Sequence, residues 1–186
     1  DMPEYIAKAL CYNNIIREKM FDFPSVLEVG NAVVSRLPLH LSEYHQYGRG
    51  FVDRARHIFK SFVDFYVQLD DSGRTLNLVL THLDHHNEAT RCREVDTLRA
   101  HLEGKNHPFV LLGDLNATPN SKCFKNLVKE GLVGNPHLGL FTYSADQPYK
   151  AIDHILVSSG LGIENYHTVS MEASDHLPIM ADIILD

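Results

Sequence analysis

Pro108-Phe109-Val110-Leu111-Leu112-Gly113-Asp114-Leu115-Asn116-Ala117-Thr118-Pro119 is an apolar run that stops at Gly-Asp and passes into residues that start helices. Such a run reads as a buried strand whose carboxyl end delivers polar groups. Side chains alternate along an extended chain, so Asp114 and Asn116, two apart, can point the same way. A hard cation accepts oxygen from both, and the amide NH2 can donate to an anion, so the pair suits a metal-and-phosphate site. A Gly-Asp-Asn turn with capping duties accounts for the same residues. The rest of the chain decides between the two.

After this stretch, Thr118 as N-cap with Pro119 at the first helical position predicts a helix that Gly131 closes. Before it, Phe62 to Leu69 and Thr75 to Thr81 alternate apolar and polar residues and read as two strands. Asp70-Asp71-Ser72-Gly73 between them is turn chemistry, so they form a hairpin. The second strand runs into Thr81-His82-Leu83-Asp84-His85-His86. Asn87 is an N-cap for a helix with Cys92, Val95, Leu98 and Leu102 as its apolar stripe and Gly104 at its end.

Further upstream, residues 4 to 11 carry Ile6, Ala9 and Leu10 at helical spacing and predict a short helix packing one apolar edge. Gly30 to Pro38 is a β-branched strand followed by a break. His40 to His57 is polar and aromatic and reads as a long surface loop, in which Arg49, Arg54 and Arg56 are either anion contacts or simply a solvated basic face. Downstream, 132 to 149 is irregular, Ile152 to Val157 is a short strand, Glu164 to Ser170 a further candidate, and Ile179 to Leu185 a nearly all-apolar last strand.

With 186 residues the chain is expected to be a single domain spanning 1–186, long enough to bury about 70% of its unfolded surface. A hydrophobic fraction of 44% and a charged fraction of 22% are ordinary globular values. Seventeen Lys and Arg against 24 Asp and Glu give −7, which argues against a broad non-specific nucleic-acid surface but not against a local basic groove. Cys11, Cys92 and Cys123 are odd in number and lack C-x-x-C spacing, so neither a disulfide framework nor a thiolate zinc site is indicated, and a reducing compartment is the default. No apolar run reaches membrane-spanning length and no leader is visible. The chain opens on Asp1, where a removed leader would leave no trace, and a cytoplasmic location is the expectation.

Polar groups therefore collect at strand ends or starts: His82, Asp114 with Asn116, Asp153, and Asp175 with His176. Each has a plain structural alternative. His82 can be a hydrogen-bonded strand-end histidine, His85 and His86 a solvated loop rather than metal ligands, and Ser174-Asp175-His176 a simple turn. Asp153 sits among apolar residues, and a carboxylate buried there needs a histidine or an arginine as partner. Strands interleaved with helices predict a mixed α/β sandwich with sheet packed between helices, in which such ends meet.

The order Gly-Asn-Ala-Val-Val-Ser-Arg-x-Pro, Thr-His-Leu, Gly-Asp-Leu-Asn-Ala-x-Pro, Ile-Asp-His-Ile and Ser-Asp-His-x-Pro, over residues 30 to 183, resembles the endonuclease/exonuclease/phosphatase superfamily. The resemblance implies a four-layer αββα sandwich of two packed mixed sheets flanked by helices, and divalent-metal-dependent hydrolysis of a phosphate ester with magnesium or manganese. It implies that Asp114 orients or deprotonates the attacking water and that Asn116 holds a phosphate oxygen. His176 would contact the phosphoryl group while hydrogen-bonded to Asp153, and His82 would steady the phosphoryl or leaving group. Asp114, Asn116 and Asp175 would serve the metal. These roles agree with phosphoryl transfer, which rewards positioning and charge neutralisation.

One departure stands out. The family places an Asn- or Asp-ending strand and a Glu-bearing strand ahead of all these motifs, and that Glu is a principal metal ligand. Neither motif is here, and residues 1 to 29 resemble the helix that follows the Glu strand, so the resemblance implies an N-terminally truncated domain. Glu4, Glu18 and Glu28 follow no apolar strand-like run and are not mapped to that ligand. The alternative is a catalytically incomplete binding module of the same fold, or a part needing a second chain. As substrates, small-molecule or lipid head-group phosphate esters are favoured over DNA, since the surface is not basic and neither a tryptophan nor an aromatic cluster supports base stacking. The helix after Asn87 carries Arg91-x-x-Glu94 where many relatives have Arg-x-x-Gln.

Overall fold

The alternating stretches at 62–69 and 75–81 form the expected hairpin, β4 (Ser61–Gln68) and β5 (Thr75–His82), paired antiparallel from Ser61 opposite His82 to Gln68 opposite Thr75. The turn works as its residues dictate: Asp70 Oδ1 accepts from the Ser72 amide at 2.9 Å, and Gly73 takes φ 88°. The structure is a computed structural model describing residues 2–23, 27–48, 60–128, 139–171 and 173–185. It divides into two compact units, 1–82 and 83–186.

The first unit contains α1 (Met2–Leu10), β1 (Asn14–Phe23), β2 (Leu27–Ser35) and β3 (Leu39–Gln46) before β4 and β5. β1 and β2 pair antiparallel, as do β3 with β4 and β4 with β5. Phe62, Val63, Phe65, Val79 and Tyr47 are buried in this unit. Its buried polar side chains pair across the strands: Asn77 Nδ2 donates to Asp64 Oδ1 at 2.8 Å and to Phe65 O at 3.1 Å, while Asn77 Oδ1 has no hydrogen-bond partner among the described residues, and Tyr47 Oη pairs with Thr81 Oγ1 at 2.9 Å.

Three expectations change here. The loop expected from residue 40 onward is a strand over Leu39–Gln46, because cross-strand stacking outweighs the polar composition: His40 stacks on Tyr66 and His45 on Phe62, each pair in register. Arg49, Arg54 and Arg56 lie outside the described residues. The helical reading of 1–29 holds only to Leu10, since Asn14–Phe23 is a strand. The buried face of α1 is Ala7, while Ile6 and Leu10 are exposed; the small side chain is the one that lets the helix approach β1 and β2.

The second unit is built on β6 (Phe109–Asp114), antiparallel to β7 (Asp153–Val157), and on the pair β8 (Leu161–Thr168) and β9 (Ile179–Leu185), which lies against β7. Helix α2 (Glu88–Glu103) begins and ends as the sequence indicates, with Asn87 Oδ1 accepting from the Thr90 amide at 3.1 Å and Gly104 at its C-cap. Val95, Leu98 and Leu102 on its apolar stripe are buried, as are Phe109, Val110, Leu111, Phe124, Leu127 and Leu156 elsewhere in the unit. His154 belongs to this core. Its Nε2–H donates to Ala117 O at 3.0 Å, its ring lies against Phe124, and burial pushes its pKa down.

Helix α3 (Lys122–Leu127) starts later than Thr118-Pro119 suggests. Thr118 O accepts from the Ser121 amide at 2.9 Å, so 118–121 is a turn, and Ser121 is the N-cap instead. Gly131 lies outside the described residues. The reading of the cysteines is also corrected: Cys92 on α2 and Cys123 on α3 form a disulfide, with Cα atoms 4.8 Å apart. Helix packing brings together two residues 31 apart, which their spacing in the chain does not reveal. Among the described residues no helix is long and apolar enough to cross a membrane.

Cys11 is the remaining thiol and is exposed. Alkylation of native protein kept free of reductant should label Cys11 alone, and replacing Cys92 and Cys123 by serine should cost about 3 kcal/mol in denaturant unfolding. Labelling of all three cysteines before reduction would show that the bridge does not form.

Candidate active site

Asp114 is the last residue of β6 and Asp153 the first of β7, and the strand register sets them opposite each other. Two carboxylates are thereby brought side by side at one end of the pair. Gly113, before Asp114, has φ 136°, a region that a side chain strains, which explains the Gly-Asp order. Asn116 also adopts positive φ, 47°. Its backbone amide donates to Asp114 Oδ1 at 2.8 Å, and its Nδ2 donates to Asp114 Oδ2 at 3.1 Å and to Leu83 O at 3.0 Å. The closeness of Asp114 and Asn116 therefore comes from a turn and not from the alternation of an extended strand. Both readings of the Gly-Asp-x-Asn stretch hold at once: the turn is what assembles the pair. Because both amide hydrogens are donated within the protein, Oδ1 is the Asn116 atom left to offer outward.

His176 Nδ1 lies 2.7 Å from Asp153 Oδ2. Thr142, fully buried, donates its hydroxyl to the same oxygen at 2.5 Å, and Thr142 O accepts from the Leu177 amide at 2.7 Å. One threonine thus ties the Asp153 carboxylate to the segment carrying His176. Burial works against a charged His176 ring, but the hydrogen bond and charge of Asp153, with the charges of Asp114 and Asp175, outweigh it and raise its pKa. With Nδ1 on Asp153, Nε2 is the atom turned to other partners.

Ligand atoms of Asp114, Asp153 and His176 all fall within 4.8 Å of one another. Asp175, expected to serve the metal, is exposed, accepts from Ser174 Oγ at 3.1 Å and stands outside that group. His82 ends β5 in the first unit, with Nε2 2.6 Å from Nζ of the buried Lys60. The two nitrogens share one hydrogen bond, in which a charged Lys60 would be the donor. The next residue, Leu83, donates its amide to Asp114 O at 3.0 Å. His85 and His86 lie against each other, ring centroids 3.6 Å apart, and neither belongs to the acidic group.

The Arg91-x-x-Glu94 pattern has a structural job. Glu94 Oε2 accepts from the Asp84 amide at 2.6 Å, and Arg91 donates to Asp84 O at 2.7 Å, so the two bracket the backbone of Asp84. Asp84 Oδ1 in turn accepts from the amides of His86 and Asn87, ordering the entry to α2. Thr142 and Lys60 were not singled out from the sequence. Thr142 sits in an irregular stretch and Lys60 at the border of a polar one, and neither position has a spacing that marks it.

A divalent cation fits the donors present. Asp114 and Asp153 supply carboxylate oxygens and Asn116 an amide oxygen, the oxygen-rich set that magnesium or manganese takes, with water and substrate oxygens completing the shell. Each carboxylate already accepts two hydrogen bonds, Asp114 one on each oxygen from Asn116 and Asp153 both on Oδ2.

Residues 9–176 match the model of the Endonuclease/Exonuclease/phosphatase family, and the chain belongs to that family. No curated protein sequence matches it. Among solved structures it is similar to a mannosyl-6-phosphatase of Bacteroides thetaiotaomicron, with a TM-score of 0.76 and 18% identity, covering 98% of this chain and 80% of that one. It is similar to the human Nocturnin catalytic domain with bound sulfate, with a TM-score of 0.73 and 16% identity over 98% of this chain and 76% of that one. A beta toxin of Staphylococcus aureus with bound magnesium ions matches at a TM-score of 0.56 and 19% identity, over 86% of this chain and 70% of that one. These likenesses show the fold, the family's mixed α/β fold that the motif order implied. The family's members are hydrolases of phosphate esters.

Replacing Asp153 by asparagine removes the charge and the acceptor that hold the His176 proton. The His176 titration midpoint, followed by NMR in chelator-treated protein, should move down. An unchanged midpoint would mean that Asp153 does not set the state of that ring.

Proposed function

We propose that this chain is a divalent-metal-dependent phosphoesterase, and the observation that carries this reading is the Asp114, Asp153 and His176 group, with Thr142 locking Asp153 to the His176 segment. Asp114 and Asn116 would hold a magnesium or manganese ion, joined by Asp153 or, after a shift of its exposed side chain, by Asp175. Bound there, the ion neutralises phosphate charge and favours ionisation of water. A phosphatase and a toxin with bound magnesium among the proteins of similar fold support this choice.

The chain's own residues then have these tasks. Asp114 orients the attacking water and accepts its proton. His176, whose charged form Asp153 favours, would donate from Nε2 to a phosphoryl oxygen, and Asp153 fixes the ring's orientation as the acid does in other Asp-His pairs. His82 would steady the phosphoryl or leaving group. Asn116 contributes Oδ1 to the cation; contact of its NH2 with a phosphate oxygen requires exchange of the Leu83 carbonyl for the substrate. The single family match over residues 9–176, which includes parts of both units, favours reading the chain as one domain. The net charge favours a small-molecule or lipid head-group ester over DNA. The Cys92–Cys123 bridge favours an oxidising place of work over the cytoplasm.

Hydrolysis of a phosphomonoester and a phosphodiester should depend on magnesium, stop with chelator, and fall about a hundredfold or more in kcat on Asp114→Ala. Activity indifferent to both treatments would defeat the proposal. Substrate binding without turnover would instead support a binding module of this fold.

A further inference from the structure

The segment that supplies Thr142 continues into a short hairpin beside His176. The Lys150 and Tyr149 amides both donate to Tyr143 O at 2.8 Å, and the Thr142 and Tyr143 amides donate to Lys150 O at 2.8 and 3.1 Å. Tyr143 also bridges to His176, and the two rings lie 5.0 Å apart. Tyr149 stands next, 5.7 Å from Tyr143 and 56% exposed, and Lys150 Nζ sits over both rings at 5.7 and 5.1 Å. Backbone hydrogen bonds thus hold the main chain of Tyr143, Tyr149 and Lys150 together beside the histidine of the proposed phosphoryl site. The sequence showed no aromatic cluster, because these tyrosines meet only through the hairpin.

We propose that Tyr143, Tyr149 and Lys150 form the subsite for the alcohol portion of the phosphate ester. That portion is an oxygen-rich ring, a sugar or a nucleoside, with its flat face on Tyr149 and a hydroxyl or anionic substituent on Lys150. The inference rests on the phosphoesterase reading above. Three features select this class. Tyrosine faces stack on rings whether these are bases or sugar C–H faces. The ammonium over both rings occupies the place that a quaternary ammonium would take in an aromatic cage and repels it, which disfavours a choline-type head group. A cation one ring beyond the phosphoryl site also suits a substrate with a second oxygen-rich end.

The test compares kcat/KM for a hexose phosphate and a nucleoside monophosphate with that for glycerol phosphate and phosphocholine, in the full chain with magnesium. Wild type should prefer the ring esters, and the better of the two identifies the ring. Tyr149→Ala should lower the ring-to-acyclic ratio about tenfold, through KM more than kcat. Tyr149→Phe should keep the ratio, and Lys150→Met should lower it less. A ratio unchanged by Tyr149→Ala, or a wild type that prefers acyclic esters, overturns the subsite and leaves the phosphoesterase reading standing. A parallel NMR titration with the phosphate-free nucleoside and methyl hexoside separates the two ideas. Ring binding that Tyr149→Ala abolishes, in a protein that hydrolyses nothing, supports the subsite and sinks the hydrolase. Neither hydrolysis nor ring binding sinks both.

Discussion

A single carboxylate oxygen, Asp153 Oδ2, accepts from both His176 and Thr142, and the geometry of the candidate site depends on it. Asp153 is fixed in place by the β6–β7 register, whereas His176 and Thr142 lie in irregular chain. A hydrogen bond to an ionised acceptor is stronger than a neutral one, so this oxygen can recruit loop residues to a rigid strand end. The Thr142 carbonyl and the Leu177 amide close the arrangement. Loss of the acid would therefore disturb a ring orientation and a loop path together.

The same register creates an electrostatic problem. It places Asp114 opposite Asp153, so two acids share one strand end. Two cationic remedies are compatible with the donors: protonation of His176, whose pKa these acids raise, and a divalent ion on the oxygen atoms. A phosphate ester, itself anionic, approaches such a site only when the negative charge is offset. A divalent ion is thus one of two ways to offset the paired acids.

Around the site, rigid pieces hold the turn that carries Asn116. Leu115 donates to Ile152 O, Ala117 O accepts from the buried His154, and α3 follows directly, bonded covalently to α2 through Cys92 and Cys123. The positive φ of Gly113 and Asn116 is sustained by these contacts and by the reciprocal bonds between Asn116 and Asp114. Arg91 and Glu94 do the corresponding work for Asp84 in the chain that follows His82.

The sequence alone determined the elements whose signals are local. Alternation in 61–82, the Asn87 cap with its apolar stripe, and the apolar run ending in Gly-Asp set strands and helix by side-chain periodicity, and the motif order implied the family. Asp114, Asn116, Asp153 and His176 were legible because strand ends carry chemistry and their types are chemically restrictive. Tertiary structure decided what depends on partners distant in the chain. Strand β3 exists because Tyr66 and Phe62 stack on its histidines, and the disulfide because two helices pack. Thr142 acts through an acid 11 residues away, and Lys60 through a histidine 22 residues away. Such pairings arise from register and packing, whose energies are absent from any local window of sequence.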